Sequence, residues 1–146
     1  MAEVEALIRQ AGLEADFEFA GPLSGSALEQ AYQNADLYIQ PSHTENFGMA
    51  IAEAMAHGLP VITTHGAPWK ILEEEHCGWW TPISADGIAA ALDDATRRTP
   101  EELAAMGERG RTVVSERFAW EGIARQFVEC YRWILGEGEK PGCVVG

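Results

Sequence analysis

Apolar residues change their period repeatedly along this chain, and the alternation predicts an α/β domain with a mostly parallel sheet. Residues 2–11 carry a helical pattern that Gly12 ends, and Phe17-Glu18-Phe19-Ala20 reads as a short strand stopped by Gly21-Pro22. A helix is predicted from Ser26 through Asn34, with Ser26 as its cap and Glu29 as the capping-box partner. Asp36 leads into a strand over 37–40 that Pro41 closes, and the loop 42–46 opens a helix over 47–57 that Gly58 ends. The β-branched run Pro60-Val61-Ile62-Thr63-Thr64 predicts a strand buried on both faces. Residues 68–75 look helical, Trp79-Trp80-Thr81 is a last short strand, and helices follow from Asp86 to Thr96 and from Pro100 through Arg117. A final helix over 120–135 is expected to bury Ile123, Phe127, Cys130, Tyr131 and Ile134, which fall at helical spacing. The glycine-rich tail, 136–146, is expected to be a flexible extension of a domain spanning 1–135.

A length of 146 residues, 47% hydrophobic and 23% charged, fits one ordinary globular domain with a real core. No run of apolar residues approaches a membrane span, and the acidic start lacks the features of a signal peptide, so the expectation is a cytoplasmic protein. Cys77, Cys130 and Cys143 lack metal-ligand or redox spacing and read as free thiols in a reducing compartment. The net charge of −13 argues against nucleic acid or anionic lipid as a general partner. All of that charge lies in residues 1–96, where Arg9 and Lys70 stand against fifteen acids; residues 97–146 hold eight bases and eight acids.

Chemistry concentrates in residues 41–58. In an open parallel sheet, ligands bind beyond the carboxyl ends of the strands, where a loop runs into a helix, and Glu45 to Gly48 would lie there. Asn46 can cap that helix, free N–H groups near Phe47 and Gly48 would make its start partly positive, and Gly48 admits a ligand close to the backbone. Glu53 stands alone among alanines, methionines and an isoleucine. Either it is a buried carboxylate needing donors, such as sugar or ribose hydroxyls, or it occupies the one wet edge of the helix. His43, His57, His65 and His76 show no ligand spacing, and no metal site is read.

Glu45 and Glu53, with seven residues between them, resemble the E-x7-E motif of retaining glycosyltransferases, especially the large family 4. Four further segments are similar to that family: Phe19-Ala-Gly-Pro-Leu23, Ala35 to Ser42, Glu53 to Ile62, and Arg117-Phe118-Ala119-Trp120. The resemblance spans roughly residues 3–135. It implies a Rossmann-like parallel sheet with flanking helices: the C-terminal, donor-binding domain of a GT-B enzyme lacking its first strands. It also implies hexosyl transfer from a nucleotide-diphosphate sugar to a saccharide or lipid-linked acceptor. Glu45 would contact the donor sugar; Asn46, Phe47, Gly48 and Met49 would offer backbone groups to sugar and phosphate. Glu53 would hold the ribose, and Gly21 and Leu23 would lie by the base. No metal or other cofactor is implied.

Two departures qualify the resemblance. The family's G-G-x-P-E appears as His65-Gly66-Ala67-Pro68-Trp69-Lys70; this and Cys77-Gly78-Trp79-Trp80 look like a branch associated with bacterial surface-polysaccharide assembly, although Trp69, Trp79 and Trp80 read equally well as packing aromatics. The strands expected before residue 2, which would fall between the 17–20 and 37–40 strands, usually carry the cations that neutralise a leaving diphosphate. Lys70 and Arg9 are the only bases near the motif segment, both more naturally surface residues. The expected partners are a nucleotide sugar and either a separate N-terminal acceptor-binding half or a second copy. The alternatives to a transferase are a non-catalytic nucleotide-sugar-binding or partner-binding module derived from such an enzyme and a related epimerase chemistry.

Overall fold

The computed structural model describes residues 2–144. The elements, in order, are helix α1 (Ala2–Ala11), a 3-10 turn at Glu14–Asp16, α2 (Ser26–Gln33), β1 (Tyr38–Gln40), α3 (Met49–Ala56), β2 (Val61–Thr64), α4 (Ile71–Glu74), β3 (Gly78–Thr81), α5 (Ala85–Thr96), α6 (Pro100–Arg117) and α7 (Trp120–Ile134). Contacts gather the chain into two units, Met1–Ala31 and Tyr32–Gly146.

In the first unit, α1 forms where its pattern places it, with Ile8 buried. Residues 17–20 do not form the predicted strand. The alternation of Phe17 and Phe19 supplies a strand's pattern, but a ladder needs a neighbour, and among the described residues none pairs with this segment. Both phenylalanines are half exposed as a result. The capping box expected at Ser26 is absent as well: α2 begins at Ser26 itself, and Gly25 accepts the first backbone bonds, from Leu28 and Glu29.

The second unit is built on a parallel sheet in the order β1-β2-β3. Tyr38 pairs with Val61, Ile39 with Ile62 and Gln40 with Thr63; across the other ladder, Val61 meets Gly78 and Thr64 meets Thr81. β2 is central, and its residues are at most 1% exposed, which satisfies the both-faces expectation for its β-branched run. Its two hydroxyls are not orphaned: Thr63 donates to the Gln40 carbonyl at 2.7 Å, and Thr64 donates to the Ser42 carbonyl while accepting the Ser42 N–H. α5 lays Ala91 and Ala95 on Ile62, with Leu37, Trp79 and Leu92 around them. α3 packs on β1, β2 and α6.

Two caps fix the helices after the sheet. Ser84 accepts the Gly87 N–H at the start of α5, and Thr99 with Glu102 forms a reciprocal capping box ahead of Pro100 at the start of α6. α7 forms over its predicted span, yet it buries none of the residues expected of it. Phe127, Tyr131 and Ile134 are exposed, and Ile123 and Cys130 are half-buried. Periodicity created the apolar stripe; no element among the described residues covers it. No helix in the described residues is long and apolar enough to cross a membrane. The tail makes turns at Gly136 and at Pro141–Val144; residues 145–146 lie outside the described ones.

Candidate functional site

Two loops at the carboxyl ends of β1 and β2 are stitched together. The Glu45 N–H donates to the Gly66 carbonyl at 2.8 Å, the Trp69 indole N–H donates to the Phe47 carbonyl, and the Trp80 indole donates to the Ala67 carbonyl at 2.7 Å. Gly66 is required by proximity: a Cβ there would fall 2.2 Å from the Ser42 carbonyl oxygen and 2.5 Å from that of His43. Trp69 is 1% exposed and lies with Phe47 and Phe118 in an aromatic cluster with centroids 5.2–5.4 Å apart. The 65–69 loop, a departure from the family pattern, therefore templates the 45–48 loop. Its tryptophan is a packing aromatic, one of the two readings left open by the sequence, and it holds a loop carbonyl as well.

The residue that precedes α3 is Gly48, not Asn46. Gly48 has φ +83° and ψ +64°, a left-handed conformation that a side chain disfavours, and no side chain caps the helix. Asn46 fails as a cap because it sits two residues too early; its own N–H donates to Glu45 Oε1 at 3.1 Å. Among the described residues, no acceptor takes the backbone N–H groups of Phe47, Gly48 or Met49. Unpaired N–H groups at a helix start suit an anion.

Glu45 is half-buried and Glu53 is exposed on α3, whose other positions 51, 52, 54 and 55 are buried. Of the two readings of Glu53, the structure has the wet edge of the helix. The two carboxylates belong to one polar belt. Tyr32 donates a long hydrogen bond to Glu53 Oε2 at 3.4 Å, and its ring lies 6.1 Å from that of Tyr38. Tyr38 donates to Gln40 Oε1 at 2.8 Å, and Gln40 donates to Glu45 Oε2 at 3.4 Å. Burial raises the Tyr32 phenol above its ordinary pKa, followed by the charge and hydrogen bond of Glu53; burial is also the first cause of the rise at Tyr38. Tyr32, Tyr38 and Gln40 escaped the sequence reading, although Tyr38 and Gln40, two apart on a strand, had to share a face.

A hollow of about 260 Å³ at the strand ends, where parallel sheets receive ligands, is lined by Ser42, His43, Thr64, Ile83 and Ser84 and by none of the belt residues. A larger cavity, about 490 Å³, lies elsewhere: Leu37, Pro60, His57, Arg98 and Leu103 place it at the strand starts. Strand direction favours the smaller one as the chemical site. Lys70 pairs with Glu74 at 3.1 Å on the surface. Gly21, with φ +68°, and Leu23, partly exposed, belong to the N-terminal unit.

This parallel α/β arrangement has the fold of GT-B glycosyltransferases. Sucrose-phosphate synthase from Thermosynechococcus elongatus superposes with a TM-score of 0.80 at 29% identity, over 94% of this chain and 35% of that one. The Anabaena protein HepE, in complex with UDP and glucose, gives a TM-score of 0.77 at 26% identity, over 90% of this chain and 36% of its own. An uncharacterized glycosyltransferase of Methanocaldococcus jannaschii is 32% identical over 137 residues, which is 88% of this chain and 33% of that protein. Residues 2–113 match the glycosyl transferases group 1 family, and the chain belongs to that family. It spans about a third of the length of these relatives.

Proposed function

We propose that this chain is the donor-binding side of a retaining, metal-independent glycosyltransferase that moves a hexose from a nucleotide-diphosphate sugar to a saccharide or lipid-linked acceptor. The observation that carries the reading is the polar belt from Glu45 through Gln40, Tyr38 and Tyr32 to Glu53, running beside a helix start with unpaired N–H groups. Glu45 accepts hydrogen bonds from the sugar hydroxyls and holds the anomeric carbon in place. The N–H groups of Phe47, Gly48 and Met49, with the loop at Asn46, face the diphosphate and stabilise charge as the nucleotide leaves. Glu53 exchanges its long bond with Tyr32 for the ribose hydroxyls. UDP and glucose bound by the Anabaena neighbour support a donor of this class.

Calorimetric titration with UDP, GDP and their hexose conjugates tests the assignment. Glu53→Ala should weaken both the nucleotides and the sugar nucleotides by about tenfold or more, the loss expected when a charged hydrogen-bond partner is removed. Glu45→Ala should weaken only the sugar conjugates. Equal affinities for all three proteins would refute these roles.

A second reading, a nucleotide-sugar-binding module without turnover, draws on the scarcity of cations: of Arg9 and Lys70, Lys70 is already engaged by Glu74. Hexosyl transfer that appears only on mixing with a separately encoded acceptor-binding half would select the transferase reading. Tight binding with no turnover in any mixture would select the module.

A further inference from the structure

The end of α7 and the tail behind it bring two sulfurs together. α7 stops in a Schellman pattern: the Gly136 N–H donates to the Trp133 carbonyl at 3.0 Å and the Glu137 N–H to the Arg132 carbonyl at 2.8 Å, with Gly136 at φ +78°. That stop reverses the chain. A second turn, closed by the Val144 N–H on the Pro141 carbonyl at 3.0 Å, sets Cys143 inside it. The Cys143 sulfur then lies 3.5 Å from the Cys130 sulfur, near the end of the helix. Cys143 is exposed and Cys130 half-buried, whereas Cys77 is fully buried elsewhere. Two turns made by sequence-local hydrogen bonds thus preposition a thiol pair that no other part of the site uses.

We infer that Cys130 and Cys143 are a redox modification site, closing to an intramolecular disulfide by exchange with a small disulfide such as oxidised glutathione. The Cys143 thiolate attacks one glutathione sulfur, breaking that S–S bond and releasing one glutathione. The Cys130 thiolate then attacks the Cys143 sulfur of the mixed disulfide and releases the second. The protein dithiol loses two electrons and two protons, and the small disulfide is reduced to two thiols. The sulfurs have only about 1.5 Å to travel to reach bonding distance. Cys143, the more exposed thiol, meets the oxidant first. In the reduced pair the hydrogen bond with Cys143 first, then burial, raises the Cys130 pKa, which leaves Cys143 the first of the two to attack. The product staples residues 131–142 into a closed loop at the end of α7. An exposed bond of this kind is open to reduction, so the staple is reversible.

The test equilibrates the reduced chain in glutathione buffers of increasing disulfide fraction, followed by acid quench, alkylation and intact-mass measurement. The expected product is a monomer about 2 Da lighter, with one alkylatable cysteine after denaturation and tryptic peptides 126–132 and 133–146 joined. Cys77 is the internal control: it is buried, and its pKa is pushed up to about 11, first by burial. Cys130→Ser should instead stop at glutathione on Cys143. Glutathione held on Cys143 beside a free Cys130, a Cys143–Cys143 dimer, three unreacted thiols, or loss of mass in Cys130→Ser would each overturn the proposal.

Discussion

Helices α3 and α7 differ in a way their hydrophobic patterns alone do not disclose. α3 is short and apolar nearly all round, and it buries Ile51, Ala52, Ala54 and Met55, while its ends and its one charged residue, Glu53, face out. α7 is almost twice as long and carries an apolar stripe from Trp120 to Ile134, yet none of its residues is buried. Spacing determines which side of a helix is apolar. Burial further requires a second surface, which α3 finds in β1, β2 and α6.

Substitutions on each side of this contrast should diverge. Trp69→Ala removes the keystone of the loops that open α3, and about 3–5 kcal/mol of stability is expected to go with it in urea denaturation. Phe127→Ala on α7 should stay within about 0.5 kcal/mol, and a comparable loss there would break the comparison. Glycine gives a sharper version with opposite signs. Gly66→Ala drives a Cβ against the Ser42 carbonyl and should cost about 1–3 kcal/mol. Gly122→Ala on α7 meets open space and should stabilise by a few tenths up to about 1 kcal/mol.

The smallest effect concerns pH. Hydrogen bonds from Arg98 first, then from the Trp79 indole, hold the Asp94 carboxyl below the ordinary aspartate pKa. A depressed folded-state value stabilises above the unfolded aspartate range and is lost as pH falls through the folded value. Because the pair is about half exposed, the contribution should be no more than about 0.5 kcal/mol. Asp94→Asn should lose that contribution, at most about 0.5 kcal/mol, at neutral pH, and its stability in acid-unfolding measurements should fall slightly less steeply as pH drops through the aspartate range.

Much of the fold was legible along the chain. The strands near 38–40, 61–64 and 78–81, the helices between them and the break at Gly58 all follow from period and punctuation. The strand expected at 17–20 does not form, since a ladder is a property of two segments. At the site, the loop and the glutamate spacing could be read directly. The belt that joins Glu45 to Glu53 could not, because Tyr32 lies 21 residues before Glu53 and meets it only through folding.

By itself the sequence determined the period of each element, the turns that stop them and the acidic pair eight positions apart, because these depend on backbone geometry within a few residues. Tertiary structure alone decided that Trp69 would hold Phe47, that Gly66 would sit against Ser42 and that the stripe of α7 would stay uncovered. Those outcomes depend on which surfaces meet, and local periodicity carries no information about the partner.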